Sequence, residues 1–122
     1  MTQDRTGGLC HVTTARATDY PDPIILHEGD VVEVGQTDTT WPSFVWCTTS
    51  AGASGWAPDA YLQREGSRAR ARRDYEATEL TISVGEELAI EDEIGGWLWC
   101  RNRRGEYGWV PAGNVQPTSP QT

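Results

Sequence analysis

No stretch of this 122-residue chain is apolar over the ~18 residues that a membrane-spanning helix needs, and the opening Met-Thr-Gln-Asp-Arg-Thr-Gly-Gly lacks the apolar core of a signal peptide. No segment sustains apolar residues at i, i+3, i+4 and i+7, so long helices are not expected. Lysine is absent. All ten basic residues are arginine, which speaks of codon usage and carries no function. Histidine occurs only as His11 and His27, and Cys10-His11 has no second pair at metal-ligand spacing. No serine or cysteine nucleophile has a recognisable partner. Neither an enzyme nor a bound metal or cofactor is therefore expected. The net charge of −8 argues against a general binder of nucleic acid or of anionic membranes. That charge is uneven: residues 1–63 hold two Arg against eight acidic groups, and residues 64–122 hold eight Arg against ten. Three cysteines make an odd number, which suits buried thiols in a reducing compartment and a cytoplasmic location.

What the chain does contain is an internal repeat. Residues 46–63 align without a gap on residues 99–116, with seven of eighteen pairs identical. The matches are Trp46/Trp99, Cys47/Cys100, Gly52/Gly105, Gly55/Gly108, Trp56/Trp109, Pro58/Pro111 and Gln63/Gln116. Such a repeat implies two copies of one small domain. The expected boundaries are 9–63 and 69–117, with a linker at 64–68 and flexible tails at 1–8 and 118–122. Domains of this size bury only ~60% of their unfolded surface, so each is marginal alone. The sequence does not fix an oligomeric state.

Short apolar runs separated by Gly, Pro and Asp read as strands, and each repeat is too short for a sandwich. The expected fold is all-β, two small barrels in tandem. Arg68, Arg70 and Arg72 alternate with Ala69 and Ala71, placing Arg outward and Ala inward on a strand. The same alternation puts Val45, Cys47, Leu98 and Cys100 inside, and turns Phe44, Trp46, Trp97 and Trp99 outward. Outward aromatics of this size mark contacts.

Residues 71–75 (Ala-Arg-Arg-Asp-Tyr), Leu80-Thr81-Ile82, Gly85-Glu86, Gly96-Trp97-Leu98-Trp99 and Gly108-Trp109-Val110-Pro111 together resemble a Src-homology-3 (SH3) domain of the bacterial variant type. The first half resembles it through Gly29-Asp30, Phe44 to Cys47 and Gly55-Trp56-Ala57-Pro58. Its counterpart of the family's ALYDY motif is either Asp19-Tyr20, aligned with Asp74-Tyr75, or Val12 to Arg16. The latter is favoured because it leaves chain for a first strand and gives a loop of usual length after the motif, residues 17–23. The equivalent loop of the second repeat, Glu76 to Glu79, is about three residues shorter than usual.

The resemblance implies two SH3-like barrels and binding of an extended peptide on aromatic ridges. Carried over by position, the second repeat contributes Tyr75, Trp97, Pro111 and the adjacent Trp109, with Arg73 and Asn114 where the family has tyrosines. The first contributes Phe44, Pro58 and Tyr61, beside Trp56, with Thr14 and Arg16 at tyrosine positions. Neither repeat has the full aromatic set. Asp19, Asp22 and Glu91-Asp92-Glu93 fall in loops that meet basic ligand groups in the family. The expected function is a non-catalytic module that binds an extended, Pro-containing segment of a partner protein, with no nucleic acid and no membrane as partner. The alternative is an assembly subunit that packs its tryptophans against a larger complex. The first reading expects Trp97→Ala to abolish binding without lowering the melting temperature.

Overall fold

Burial alternates along the strands as the period of a pleated sheet requires. In Arg68–Ala71 the alanines are buried and the arginines exposed, and in Leu9–Val12 it is Cys10 and Val12 that point inward. The computed structural model describes residues 6–18 and 22–118. The described residues contain strands and two 3-10 turns, and no α-helix. The strands are β1 (Leu9–Val12), β2 (Ile25–Leu26), β3 (Val31–Thr37), β4 (Phe44–Thr49), β5 (Ser54–Pro58) and β6 (Leu62–Glu65). They continue with β7 (Arg68–Ala71), β8 (Tyr75–Glu76), β9 (Glu87–Ile94), β10 (Trp97–Arg101), β11 (Tyr107–Pro111) and β12 (Val115–Pro117). The 3-10 turns are Asp59–Tyr61 and Ala112–Asn114.

Two compact units result, and neither is one repeat. The central unit is Asp22–Ala77; the terminal unit combines Met1–Pro21 with Thr78–Thr122. In the central unit the strand order is β5-β4-β3-β7-β6, with a β2-β8 ladder beside it. In the terminal unit it is β11-β10-β9-β1-β12. The first strand of each repeat is therefore exchanged. β1 pairs with β9 and β12 of the second repeat, with Cys10 opposite Leu88 and Val12 opposite Val115. β7 pairs with β3 and β6 of the first, with Ala69 opposite Val32 and Leu62 opposite Ala71.

Two expectations are corrected here. The units are not 9–63 and 69–117 in succession, and residues 64–68 are not a linker. Arg64 and Glu65 belong to β6, Arg68 opens β7, and Gly66-Ser67 form the tight turn between them, with Gly66 at φ 68°. The physical cause lies at residues 76–80. Ala77 donates its N–H to Ile24 O (2.9 Å) in the central unit. Trp109 donates to Thr78 O (2.8 Å), and Leu80 donates to Trp109 O (3.2 Å), in the terminal unit. Successive residues are claimed by one unit and then the other, so none remains to reverse the chain. Short connections of this kind favour strand exchange.

The registers also place the first repeat's motif. Arg16 bridges Ile82 as Tyr75 pairs with Leu26, which sets Val12 to Arg16 in the position of residues 71–75. Asp19 and Tyr20 of the competing alignment lie outside the described residues, as does Asp19 as a candidate acid; so do most of the expected tails.

Each glycine of the two Gly-Trp-x-Pro segments sits under a neighbouring stretch of chain outside the strands. A Cβ on Gly108 would meet Leu80 N at 2.7 Å and Glu79 C at 2.9 Å, and one on Gly55 would meet Ile24 Cγ2 at 2.7 Å. These approaches press residues 79–80 and 24 against the sheets.

Cross-linking separates exchanged from contiguous barrels. Leu9 faces Ala89 here, whereas the contiguous arrangement would set it opposite Glu33, the residue that faces Arg68. Mild oxidation should link a Leu9→Cys/Ala89→Cys pair within one chain and leave Leu9→Cys/Glu33→Cys unlinked. Peptide mapping that found the opposite would overturn the exchange.

Candidate ligand-binding site

The exchange redistributes the residues that the sequence grouped by repeat. Tyr75 and Arg73 are carried into the central unit, while Trp97, Trp109 and Pro111 remain in the terminal unit. Tyr75 thus belongs to one compact unit, and Trp97, Trp109 and Pro111 belong to the other.

In the central unit, Tyr61 and Tyr75 meet edge to face, with ring centroids 5.9 Å apart and planes inclined at 69°. Tyr61 stands on the 3-10 turn after β5, and Tyr75 starts β8. The Tyr75 hydroxyl donates to Trp56 O (3.0 Å), fixing its ring against the Gly-Trp-x-Pro segment. Arg73 lies over the opposite partner, its Cζ 4.4 Å from the Tyr61 centroid, within the range of cation–π attraction. Phe44 and Pro58 face each other across β4 and β5. The backbone around the cluster is tied down by Arg72 N donating to Tyr61 O (2.8 Å) and Arg72 Nε donating to Leu62 O (3.1 Å). Glu28 N donates to Asp74 Oδ1 (2.8 Å). Tyr61 is half-buried and Arg73 exposed, whereas Tyr75, Phe44 and Pro58 are buried.

In the terminal unit, Trp97 opposes Pro111, Trp99 opposes Trp109, and Arg101 opposes Tyr107. Trp99 stacks on Tyr107 at 6.1 Å and tilts against Trp109 at 5.2 Å. Thr14 and Asn114, at tyrosine positions of the resemblance, bond to one another: Asn114 Nδ2 donates to Thr14 O (3.1 Å) and Thr14 N donates to Asn114 O (3.2 Å). Arg16 caps Trp97 at 5.1 Å from the centroid. Among the described residues no group of His, Cys, Asp and Glu is placed to hold a metal ion.

The alternation argument holds for the inner face and is corrected for the outer one. Val45, Cys47, Leu98 and Cys100 are buried, and Trp46 is 37% exposed. Phe44 and Trp97 sit on the outer side but are only 7% and 8% exposed. Strand period gives the side a ring leaves from, not what then covers it; for Trp97 the cover includes Arg16. Arg16 as a partner of Trp97, and Tyr107 as a partner of Trp99, were not singled out by sequence. The strand exchange is what brings Arg16 there, while the period-two offset of Tyr107 from Trp109 was the readable signal for the second.

All three cysteines are free and buried. Burial pushes the Cys47 thiol up from 9.0 to about 11, opposed by Arg64 and aided by Asp59. The Cys100 thiol is raised too, first by its hydrogen bond with Cys10 and then by burial.

Two measurements follow from this geometry. Trp97→Ala should lower stability by ~3–5 kcal/mol, the usual range for a buried large aromatic, seen as a reduced denaturation midpoint; an unchanged midpoint would restore Trp97 as an open surface residue. A raised thiol pKa favours the fold while the group is neutral, so the Cys47 contribution is complete below pH 9.0 and is lost as pH climbs through about 11. The fall in midpoint over that window should be smaller in Cys47→Ala, and a fall of equal size would remove Cys47 as its source.

By sequence comparison, residues 9–65 and 68–118 each match the model of the variant SH3 domain. No curated protein matches the chain.

Proposed function

Because the chain belongs to the variant SH3 domain family, whose members are generally protein-interaction modules, we propose that it binds an extended segment of a partner protein on the central unit. The observation that carries this is the meeting of Tyr61 and Tyr75 beside Arg73, in a unit that also holds Phe44 and Pro58, although no single repeat holds that set. An aromatic face such as that of half-buried Tyr61 suits a polyproline II segment, which loses little entropy on docking. Arg73, carried on the Tyr61 ring, adds a planar fork of donors that matches a carboxylate. The favoured ligand is thus a Pro-containing segment with an acidic residue. The family's typical role is non-catalytic. No helix of the described residues is long and apolar enough to cross a membrane.

A second reading, an assembly subunit, draws on the aromatics that stay accessible: Trp46, edge-on to Trp56 at 5.0 Å, and Tyr107, which is 45% exposed. A stoichiometric large complex that survives Tyr61→Ala but is lost with Trp46→Ala would favour it.

A library of extended peptides with Pro and either acidic or basic neighbours tests the first reading. Tyr61→Ala should weaken binding about tenfold or more, as expected for a central aromatic contact. Arg73→Glu should turn the preference from acidic to basic peptides. The proposal fails if Tyr61→Ala binds like the wild type, or if Arg73→Glu leaves the preference where it was.

A further inference from the structure

The two units place equivalent hairpins beside equivalent turns and finish the contact differently. In the terminal unit the hairpin between β10 and β11 is fastened by charge. Arg103 Nη2 meets Glu87 Oε1 at 3.0 Å, and Arg104 Nη2 lies 4.0 Å from Glu86 Oε2 and 3.1 Å from Glu106 Oε1. By the gapless alignment of the repeats, Arg103, Arg104 and Glu106 correspond to Ser50, Ala51 and Ala53. Glu86 and Glu87, which follow Gly85, correspond to Asp30 and Val31, which follow Gly29. The central hairpin thus has no arginine at either fastening position.

A groove lies there instead. A hollow of about 370 Å³ is lined chiefly by Pro23, Ile25, Val31, Ala51 and Ala53, with Asp30 in its wall. Past Val31 and Ser50 it adjoins a second hollow of about 250 Å³ that reaches Glu33 and Arg68. The crevice at the position of the second hollow in the terminal unit, beside Arg101 and Arg103, measures about 150 Å³. Ile25 is 53% exposed and Val31 is 42% exposed, and apolar side chains left open together mark a contact. Both walls are preformed. Thr49 N donates to Ala53 O (2.8 Å) and Ala53 N to Thr49 Oγ1 (3.1 Å); Asp30 N donates to His27 O (2.9 Å) and His27 N to Asp30 Oδ2 (2.9 Å). An apolar, preformed concavity with few polar groups has the character of a binding site.

Charge selects the occupant. Glu33 and Arg68 pair with each other at 3.3 Å, so the Asp30 carboxylate sets the sign of the first hollow. The central unit as a whole carries nine acidic residues against five Arg. A second copy of the chain would bring a further net charge of −8 and is repelled, whereas a basic segment is drawn in. We infer that this groove docks a segment of a partner protein that presents a branched apolar side chain next to an arginine or lysine. It shares no lining residue with the cluster of Tyr61, Tyr75 and Arg73, and the inference does not rest on the reading of that cluster.

The test titrates acetyl-Arg-Leu-Arg-Leu-Arg amide into the full chain and follows the methyl resonances of Ile25, Ala51 and Ala53. These should shift, and the response should weaken as salt is raised from about 0.05 to 0.5 M. Peptides with Ser in place of Leu, or Glu in place of Arg, should need concentrations about tenfold or more higher. The double variant Ser50→Arg/Val31→Glu supplies the terminal unit's own pair at unchanged net charge and should weaken binding by about tenfold or more. Tyr61→Ala should bind as the wild type does. The inference is overturned if the wild-type methyls do not shift, if the response ignores salt, or if the Ser or Glu peptide works as well. Equal affinity in the double variant, or loss of binding in Tyr61→Ala, overturns it too. Methyl shifts on concentrating the protein alone, with a doubled mass, would give the groove to a second copy and overturn the assignment. Should the double variant fail to fold, Ala51→Arg on the exposed hairpin is read by the same criteria. If neither folds, the hairpin is a structural element only and the inference falls.

Discussion

Between Glu76 and Leu80 the backbone is committed residue by residue to partners in two different units, Ile25 and Ile24 on one side and Trp109 on the other. A hairpin there would have to release Thr78 and Leu80 from Trp109 and lift Leu80 out of a core in which it is buried. The rest of the architecture follows from that commitment. β7 and β8 stay with the first repeat, the second repeat is left without a first strand, and β1 fills the gap between β9 and β12. Cys10 and Val12 then close a core made of Leu80, Ile82, Leu88, Ile90, Leu98, Cys100, Val110 and Val115. Complete burial of one Val side chain contributes ~1.5–3 kcal/mol, so the strand is a substantial part of a small unit's stability.

The exchange also sorts the chemistry. Tyrosines contributed by both repeats converge in the central unit, together with Arg73. The terminal unit receives Thr14 and Arg16 in their place, and the Arg16 guanidinium lies over its Trp97 ring. Two copies of one domain thereby acquire different surfaces without any change in their strand order. One sets aromatic rings beside an exposed positive group; the other has an aromatic ring covered by an arginine that is paired with a glutamate.

Much of this was legible in the chain. The gapless match of residues 46–63 with 99–116 identifies equivalent hairpins, and the two-residue period at Val45/Cys47 and Leu98/Cys100 identifies the inner face. The short 76–79 loop was visible as well, but only as a departure from the usual length. What equivalence cannot supply is the choice of partner. Leu9–Val12 and Arg68–Ala71 are interchangeable as patterns, each with two inward and two outward residues, and either fits beside β3 or β9 by periodicity alone. Long-range pairing is decided by chain connectivity, which is why Tyr75 was grouped with Trp97. The burial of Trp97 escaped for a related reason, since its cover includes Arg16, distant in sequence.

β1 and β12 are neighbours, and Thr118 donates its N–H to Leu9 O at 2.8 Å. Residues 9 and 118 therefore lie side by side, close enough for a short peptide to join them. In a chain joined there and opened between Ala77 and Thr78, residues 78–118 would run directly into 9–21, and residues 22–77 would follow as an unbroken piece. Each unit would then be continuous, with every strand pairing unchanged. The entanglement of the two repeats is thus a property of where the chain is cut, not of how its strands pack, and a circularly permuted gene would encode the same two barrels as ordinary beads in series.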